Sequence, residues 1–227
     1  MIFLLPLGAC FLNCIEGSGN VVSQEEELNF FNEVKVAGMG EVFLIKGKEN
    51  GIRVETDDNL MERIVVEQNG DELKIKTKGC ILERKSLKFF VTLSELKELD
   101  ISGSAVVSSK DFFETNNFEL DISGSGRANL KLGANNVNVD ISGSGDAELE
   151  GSSKGLDLNI SGSGGFSGKA FQVRDADVEI SGSGGASLFV SNYLNADISG
   201  SGDLYYKGRP SVEADVSGSG KIHKLNK

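Results

Sequence analysis

The 227-residue sequence contains no tryptophan, only two prolines, one histidine and few aromatic side chains (7%). A nucleophilic serine needs a neighbouring base, and the lone histidine, His223, lies in the last repeat, where we expect an ordinary surface side chain. The apolar run at residues 1–15 is shorter than the roughly 20 residues that a membrane-spanning helix requires. The sequence thus lacks the signature of a serine hydrolase and of a spanning helix.

Positive charge is also scarce. The formal net charge is −11 and the isoelectric point is near 4.7, so electrostatic repulsion opposes binding to nucleic acid or to an anionic membrane surface. Glycine is abundant, with 29 residues, but it does not recur at every third position as a collagen helix demands. Apolar residues make up 39% of the chain, which is enough to build a folded core.

The three cysteines, Cys10, Cys14 and Cys80, are an odd number and cannot form a complete disulfide framework. Residues 7–10 read Leu-Gly-Ala-Cys and resemble the lipobox of a bacterial lipoprotein signal. This motif predicts that residues 1–28 are a signal segment and polar tether, with lipid attached to Cys10. Lipidation of Cys14 is an alternative that its preceding asparagine disfavours, and a hydrophobic N-terminus of a cytosolic protein is another.

The second half of the chain repeats one phrase, Ile-Ser-Gly-Ser-Gly, at intervals of 18 to 21 residues. The repeats begin at Ile101, Ile122, Ile141, Ile160, Ile180, Ile198 and Val216, the first ending in Ala105 and the last starting with valine. A unit of this length is too short to have its own core, so each copy must bury its apolar side against its neighbours.

Apolar and polar residues alternate strictly before the repeat anchors. Counted back from the anchor, positions 0, −2 and −4 are apolar in the six copies from Ile122 onward, as in Phe118, Leu120 and Ile122, and positions −1 and −3 are polar. This period-2 pattern predicts a strand with one buried and one wet face. A further apolar column six residues after the anchor, from Ala128 to Ile222, predicts a second strand after a Gly-Ser-Gly corner.

These patterns predict an all-β chain, a parallel β-helix or β-solenoid with regular coils over residues 96–227. Strand-like runs at residues 29–95 are less regular, and we favour their continuing the solenoid over their forming a separate cap, within one domain at 29–227. Asn69-Gly70-Asp71 predicts a tight turn, and residues 59–63 allow one helical turn. The basic end of the chain, residues 221–227, either blocks the open strand edge or is a frayed terminus.

The run at residues 31–42, the phrase Leu-Asp-Ile-Ser-Gly-Ser and its reiteration resemble the family called "putative auto-transporter adhesin head GIN domain" over residues 29–223. The resemblance implies a right-handed β-helix that is exported or lipid-anchored in the cell envelope, in the outer membrane or periplasm. It implies no established biochemical activity, and it transfers no catalytic residue.

The Gly-Ser-Gly runs do not form a phosphate-binding loop, because no Lys-Ser or Lys-Thr follows them and no helix starts there.

The acidic columns are better candidates for a binding site. Stacked carboxylates about 5 Å apart repel each other, and a hard cation would relieve that repulsion. Asp121, Asp140, Asp197 and Asp215 are therefore candidate calcium ligands, although a solvated acidic face without a cofactor is the default expectation.

Aromatic residues in the repeats concentrate near one end, where Tyr193, Tyr205 and Tyr206 could stack on a sugar ring or simply pack at corners. We therefore expect a non-enzymatic envelope module that binds a protein or glycan at the cell surface, contacts membrane only through a lipid anchor and can self-associate. The alternative is a polysaccharide-active enzyme on a β-helix scaffold, which would need suitably spaced carboxylate pairs. An accessory protein of envelope signalling is a weaker third possibility.

Overall fold

The computed structural model describes residues 14–82 and 84–225, and these form a parallel β-solenoid of about seven turns. The N-terminal strands are β1 (Cys14–Ile15), β2 (Val21–Glu27), β3 (Glu33–Gly38), β4 (Glu41–Lys46), β5 (Gly51–Asp57), β6 (Ile64–Asn69), β7 (Glu72–Thr77), β8 (Cys80–Ile81) and β9 (Leu87–Leu93). The repeat region contains β10 (Glu98–Gly103), β11 (Val106–Glu114), β12 (Asn117–Gly124), β13 (Arg127–Gly143), β14 (Asp146–Gly162), β15 (Gly165–Gly182), β16 (Gly185–Gly200), β17 (Asp203–Lys207), β18 (Ser211–Gly218) and β19 (Lys221–Lys224). The predicted fold class is confirmed.

Each Gly-Ser-Gly corner joins two parallel sheets. We call the sheet that carries the strand before each corner the motif sheet, and the sheet that carries the strand after it the post-corner sheet. In the motif sheet equivalent repeat positions lie directly above one another, so Ile122 pairs with Ile101 on one side and with Ile141 on the other. The sequence register of the repeats is therefore the register of the hydrogen bonds.

The predicted apolar columns form the core. In the central coils these side chains are almost fully buried; Leu120, Val139 and Leu158 have no exposed surface. The column after the corner is buried in the same way from Ala128 to Leu204. The last coil departs from the prediction, since Val212 and Val216 are each 40% exposed and no further coil among the described residues stacks on them.

The corners are held by main-chain hydrogen bonds between successive coils. The second serine of each motif donates its amide to the carbonyl of the motif glycine one coil earlier, as Ser163 does to Gly143 at 2.8 Å. The motif glycine itself adopts a positive φ, +120° at Gly162, which other residues rarely adopt. Glycine at this position therefore allows both the turn and the close approach of the coils.

Residues 29–95 continue the solenoid and also close its end. Strands β3 and β7 extend the motif sheet in parallel, and β4 and β9 extend the post-corner sheet. Beyond them the pairing becomes antiparallel, in β6 with β7, β5 with β9 and β2 with β5. The predicted turn at Asn69–Asp71 connects β6 to β7, and the predicted helical turn is a 3-10 helix at Asp58–Arg63.

The segment expected to be a polar tether is part of the fold. Strand β2 lies along β5 over seven residues, and β1 pairs with β8 through a Cys14–Cys80 disulfide. Buried Asp57 accepts hydrogen bonds from the amides of Gly19, Lys85 and Ser86 at 2.7, 2.9 and 3.2 Å. Burial raises the pKa of Asp57, but the three amides together outweigh it and hold the pKa below 3.8.

Candidate functional site

The acidic columns predicted from the repeats form two ladders on the outer face of the motif sheet. The first ladder stacks Asp100, Asp121, Asp140, Asn159, Glu179, Asp197 and Asp215. The second stacks Glu98, Glu119, Asn138, Asp157, Asp177, Asn195 and Glu213. In a parallel sheet such rungs lie about 4.8 Å apart, so the carboxylates are close enough to repel.

Asparagines interrupt the ladders and donate hydrogen bonds to the acids. Asn138 and Asn159 each donate from Nδ2 to Asp140, both at 3.0 Å, and Asn195 donates to Asp177 at 3.1 Å. At the N-terminal end the Lys35 ammonium lies 3.1 Å from Glu72 and 3.2 Å from Glu98, which raises its pKa. Amide donors and one lysine therefore offset part of the repulsion.

The charge that remains uncompensated is concentrated at Asp121. Desolvation, then repulsion from Asp140, Glu119, Asp100 and Glu98, raises the pKa of Asp121 above 3.8. Desolvation followed by neighbouring acids raises the pKa of Asp157 in the same way. Ionising these carboxylates at neutral pH therefore costs folding free energy.

We expect Asp121→Asn to stabilise the protein at pH 7, by about 1 kcal/mol or less. The substitution removes the repulsion between Asp121 and the neighbouring acids and keeps the shape of the side chain. Since the folded-state pKa of Asp121 is raised, the folded wild type takes up the proton first as pH falls. The variant's advantage should therefore shrink through that folded pKa and be lost below 3.8. Denaturant unfolding of both proteins from pH 7 to pH 3 measures this, and a difference that grows toward low pH would contradict it.

A groove with a volume of about 620 Å³ runs across the motif sheet beside the ladders. The side chains of Phe118, Val137, Leu156 and Ala176 are buried beneath the groove and contribute almost no exposed surface to it. Its walls carry polar side chains from successive coils: Glu33, Lys97, Glu98, Asn117, Glu119, Asn136, Asn138, Asp157, Asp175, Asp177 and Tyr193. The groove spans seven neighbouring coils, from β3 to β16, roughly 29 Å at the spacing of parallel strands.

The three tyrosines named from the sequence do not form one cluster. Tyr193 lies at the end of the groove, where its hydroxyl donates to Glu213 at 2.8 Å. Tyr205 projects from the post-corner sheet and stacks on His223 with ring centroids 4.7 Å apart. Tyr206 packs against the core. Only Tyr193 is therefore placed to contact a ligand in this groove.

A second hollow, of about 480 Å³, lies on the post-corner sheet. Tyr205 contributes to it, together with Arg127 and Asp146, which form an ion pair at 3.2 Å. Its lining also follows the register of the sheet, as in Asn129, Glu148, Ser167, Ser187 and Tyr205. The motif-sheet groove is the larger of the two and the one that contains the second acidic ladder.

The structure places the calcium candidates on one vertical ladder. Asp121 and Asp140 are neighbours, and so are Asp197 and Asp215. Within residues 14–82 and 84–225, however, no group of three or more Asp, Glu, His or Cys side chains converges as a metal site would. Calcium binding by these aspartates stays a prediction.

The cysteines divide between two regions. Cys10, the predicted lipidation site, lies outside the described residues. Cys14 is bonded to Cys80, a pairing that the sequence does not specify because an odd set of three allows several. Among the described residues no helix is long and apolar enough to cross a membrane.

These features define a class of protein, a parallel β-solenoid with a regular acidic ladder and a polar groove on one sheet. The sequence profile of the family described as "Putative auto-transporter adhesin, head GIN domain" matches residues 30–210. The chain belongs to that family, as its motifs predicted. Among curated proteins, none matches this sequence.

Solved structures share the fold. A "putative adhesin" from Bacteroides fragilis is 20% identical with a TM-score of 0.88, covering 93% of this chain and 100% of its own. A "putative adhesin" from Parabacteroides distasonis is 18% identical with a TM-score of 0.82, covering 94% and 100%. A "putative lipid binding protein" from the same species is 26% identical with a TM-score of 0.77, covering 93% and 99%. The family and these relatives support an adhesin-like envelope protein.

Proposed function

We propose that this chain is a non-enzymatic, adhesin-like binding protein of the cell envelope that holds its ligand in the motif-sheet groove. The observation that carries the proposal is the groove itself, a preformed channel whose polar walls repeat coil by coil. Most wall residues are fixed in the hydrogen-bonded register of a parallel sheet, so little conformational entropy is lost when a ligand binds. Such a surface suits an extended partner.

The groove walls indicate the chemistry of that partner. Carboxylates outnumber the single lysine, and amides stand between them. This lining favours the hydroxyl groups of a glycan or the basic side chains of a surface protein, and it repels nucleic acid. Calcium held at Asp121, Asp140, Asp197 or Asp215 would reduce the charge of the ladder and could bridge it to an acidic partner.

The disulfide supports an extracytoplasmic location, because such bonds persist in oxidising compartments. In our proposal the signal is cleaved before Cys10 and the lipid is attached there, while Cys14 is occupied by Cys80. Four residues span at most about 14 Å, so a lipid on Cys10 would hold the N-terminal end of the solenoid close to the outer or periplasmic membrane surface. Mass spectrometry of the membrane-extracted protein should find lipid on Cys10, and an unmodified Met1 would contradict this.

The groove is tested with arrays of cell-surface glycans and extracellular proteins, each probed with and without calcium. We expect saturable binding that Asp157→Lys weakens by about tenfold or more, about 1.4 kcal/mol, because it places a long cation in the middle of the groove. Glu114→Lys, an exposed change of the same charge outside the groove, is the matched control and should bind normally.

Three outcomes would overturn the proposal. Turnover of a polysaccharide would make the chain an enzyme, the alternative that the β-helix scaffold permits. Equal weakening by Asp157→Lys and Glu114→Lys would show that binding does not involve the groove. Binding of phospholipid vesicles, without binding of any glycan or protein, would instead indicate a lipid-binding protein, as the relative from Parabacteroides distasonis is described.

A further inference from the structure

Within residues 14–82 and 84–225, nothing covers the last coil at the C-terminal end of the solenoid, and we call it the open coil. Val212 and Val216 of β18 are each 40% exposed, whereas Leu194 and Ile198, the residues directly beneath them one coil earlier, are almost completely buried. Burying such side chains is favourable in proportion to the apolar area removed from water. The last coil therefore presents an apolar surface that one more layer of strands would cover.

The same coil also presents two strand edges. Within residues 14–82 and 84–225, β18 pairs only with β16 and β19 pairs only with β17. One side of each strand thus offers main-chain groups to a further strand, the arrangement that leads to edge-to-edge pairing. The basic end expected to block the edge is itself strand β19, and it lies beside β17 rather than across β18.

The opposite end of the solenoid has two edge strands, β6 in the motif sheet and β2 in the post-corner sheet, and β2 is blocked against such pairing. Its edge strand β2 turns Gln24 and Glu26 to the side of the sheet on which Val54 and Ile52 are buried. Charged side chains that point inward are a recognised way of blocking a sheet edge. Head-to-tail stacking of one copy on another would have to bury Glu26, so the N-terminal end is a poor partner for the open coil.

Charge identifies a better partner. The outward face of β18 carries Glu213 and Asp215, and the outward face of β19 carries Lys221 and His223. Two copies of β18 facing each other would oppose acid to acid. A two-fold axis through the corner at Ser219 instead lays β18 of each copy along β19 of the other. Both strand pairs of the interface then bring the acidic side chains of β18 close to the basic side chains of β19.

We propose that this open coil binds the same coil of a second copy, tail to tail, through antiparallel β18–β19 pairing around that two-fold axis. In the symmetric register Val216 lies opposite Ile222 of the partner subunit, and Asp215 lies opposite the partner's His223 and diagonal to the partner's Lys221. In both β18–β19 strand pairs, inward-pointing residues lie opposite inward-pointing residues, because this register preserves the alternation of inward and outward side chains. The contact is isologous and closes at two copies.

The interface is one coil from each copy, which is smaller than a standard protein interface of about 1,600 Å². We therefore expect a weak dimer with a dissociation constant between about 1 μM and 1 mM. Sedimentation equilibrium over that concentration range should give a monomer–dimer fit, and scattering of the dimer should show a particle about twice as long along the solenoid axis.

A charge exchange tests the pairing. Asp215→Lys alone should weaken the dimer about tenfold or more, because the new lysine lies opposite the partner's His223 and diagonal to the partner's Lys221. Lys221→Glu alone should weaken it similarly, since it brings an acid to the partner's Asp215. The double variant should restore wild-type dimerisation. Asp197→Lys, the same change one coil inside the ladder, is the control and should leave the dimer intact.

Val216→Lys should give a monomer whose circular dichroism matches that of the wild type, since Val216 is 40% exposed and a lysine there can extend into solvent. A wild type that stays monomeric at about 1 mM would overturn the proposal, as would open-ended polymers, which a head-to-tail contact would produce. A double exchange that fails to restore the dimer, while both single variants and the control remain folded, would overturn the β18–β19 register. Groove binding is measured separately, so this test and that of the proposed function can fail independently.

Discussion

Replacing Gly162 with alanine should lower the free energy of unfolding by about 3 kcal/mol or more, the combined cost of backbone strain and of overpacking. A Cβ at this position would lie 2.5 Å from the carbonyl oxygen of Gly143 in the coil below. That oxygen cannot move aside, because it accepts the amide of Ser163 at 2.8 Å. The φ of +120° adds strain that no change of neighbours can relieve.

The measurement is thermal and denaturant unfolding. For a domain of this size a loss of 3 kcal/mol corresponds to a fall of about 6–12 °C in the melting temperature. The matched control is Gly155→Ala, where φ is not positive and the only close atom is the side-chain oxygen of Asn136 at 3.1 Å. We expect that change to stay within about 0.5 kcal/mol of the wild type. Equal effects of the two substitutions would mean that corner packing does not require glycine.

The repeated half of the fold was predictable because one physical rule determines it. In the central coils, which bury positions 0, −2 and −4, register, corner and core all follow from the spacing of the phrase, as the stacking of Ile141 on Ile122 shows. The same rule could not describe the last coil. A sequence column marks Val216 as inward, but whether anything covers it depends on what stacks next.

The N-terminal part was less predictable. The alternation of apolar and polar residues indicates which face of a strand is buried, but it does not indicate which strand lies beside it. The run from Gly51 to Asp57 alternates as a strand should, and nothing in it distinguishes a parallel coil from the antiparallel pairing with β9 that the structure has. The acidic run in β2 likewise looked like a tether because its side chains are mostly exposed. Its pairing with β5 rests on main-chain hydrogen bonds, which composition does not reveal.

The candidate site was predictable in its charge but not in its shape. The sequence places carboxylates and amides on one face, yet the concavity above Leu156 depends on how each coil bends. The corner also explains why the tyrosines separate. Tyr193 precedes a Gly-Ser-Gly and Tyr205 follows it, so twelve residues of separation put them on different sheets.

Removing the Cys14–Cys80 disulfide should cost up to about 4 kcal/mol, because it closes a loop of 66 residues whose freedom in the unfolded chain it restricts. The loop contains β2 to β7, which include the antiparallel strands that close the N-terminal end. We expect the double variant Cys14→Ser and Cys80→Ser to melt about 8–16 °C below the wild type.

A reductant provides the internal control for this last comparison. Dithiothreitol should lower the melting temperature of the wild type to that of the double variant and leave the variant unchanged, which separates the effect of the disulfide from the effect of the serines.

The size of the loss in stability also indicates how the N-terminal end of the solenoid is held together. If β1 could detach alone, the loss would be small, since β1 pairs with β8 over only two residues. But Asn59 donates to the Glu16 carbonyl at 2.8 Å and Gly19 donates to Asp57, so the segment after Cys14 is bonded to the same end of the solenoid. Release of Cys14 should therefore loosen the whole closing layer, and faster hydrogen exchange in β2 and β5 of the variant would show it; unchanged exchange there, with an unchanged melting temperature, would contradict this account.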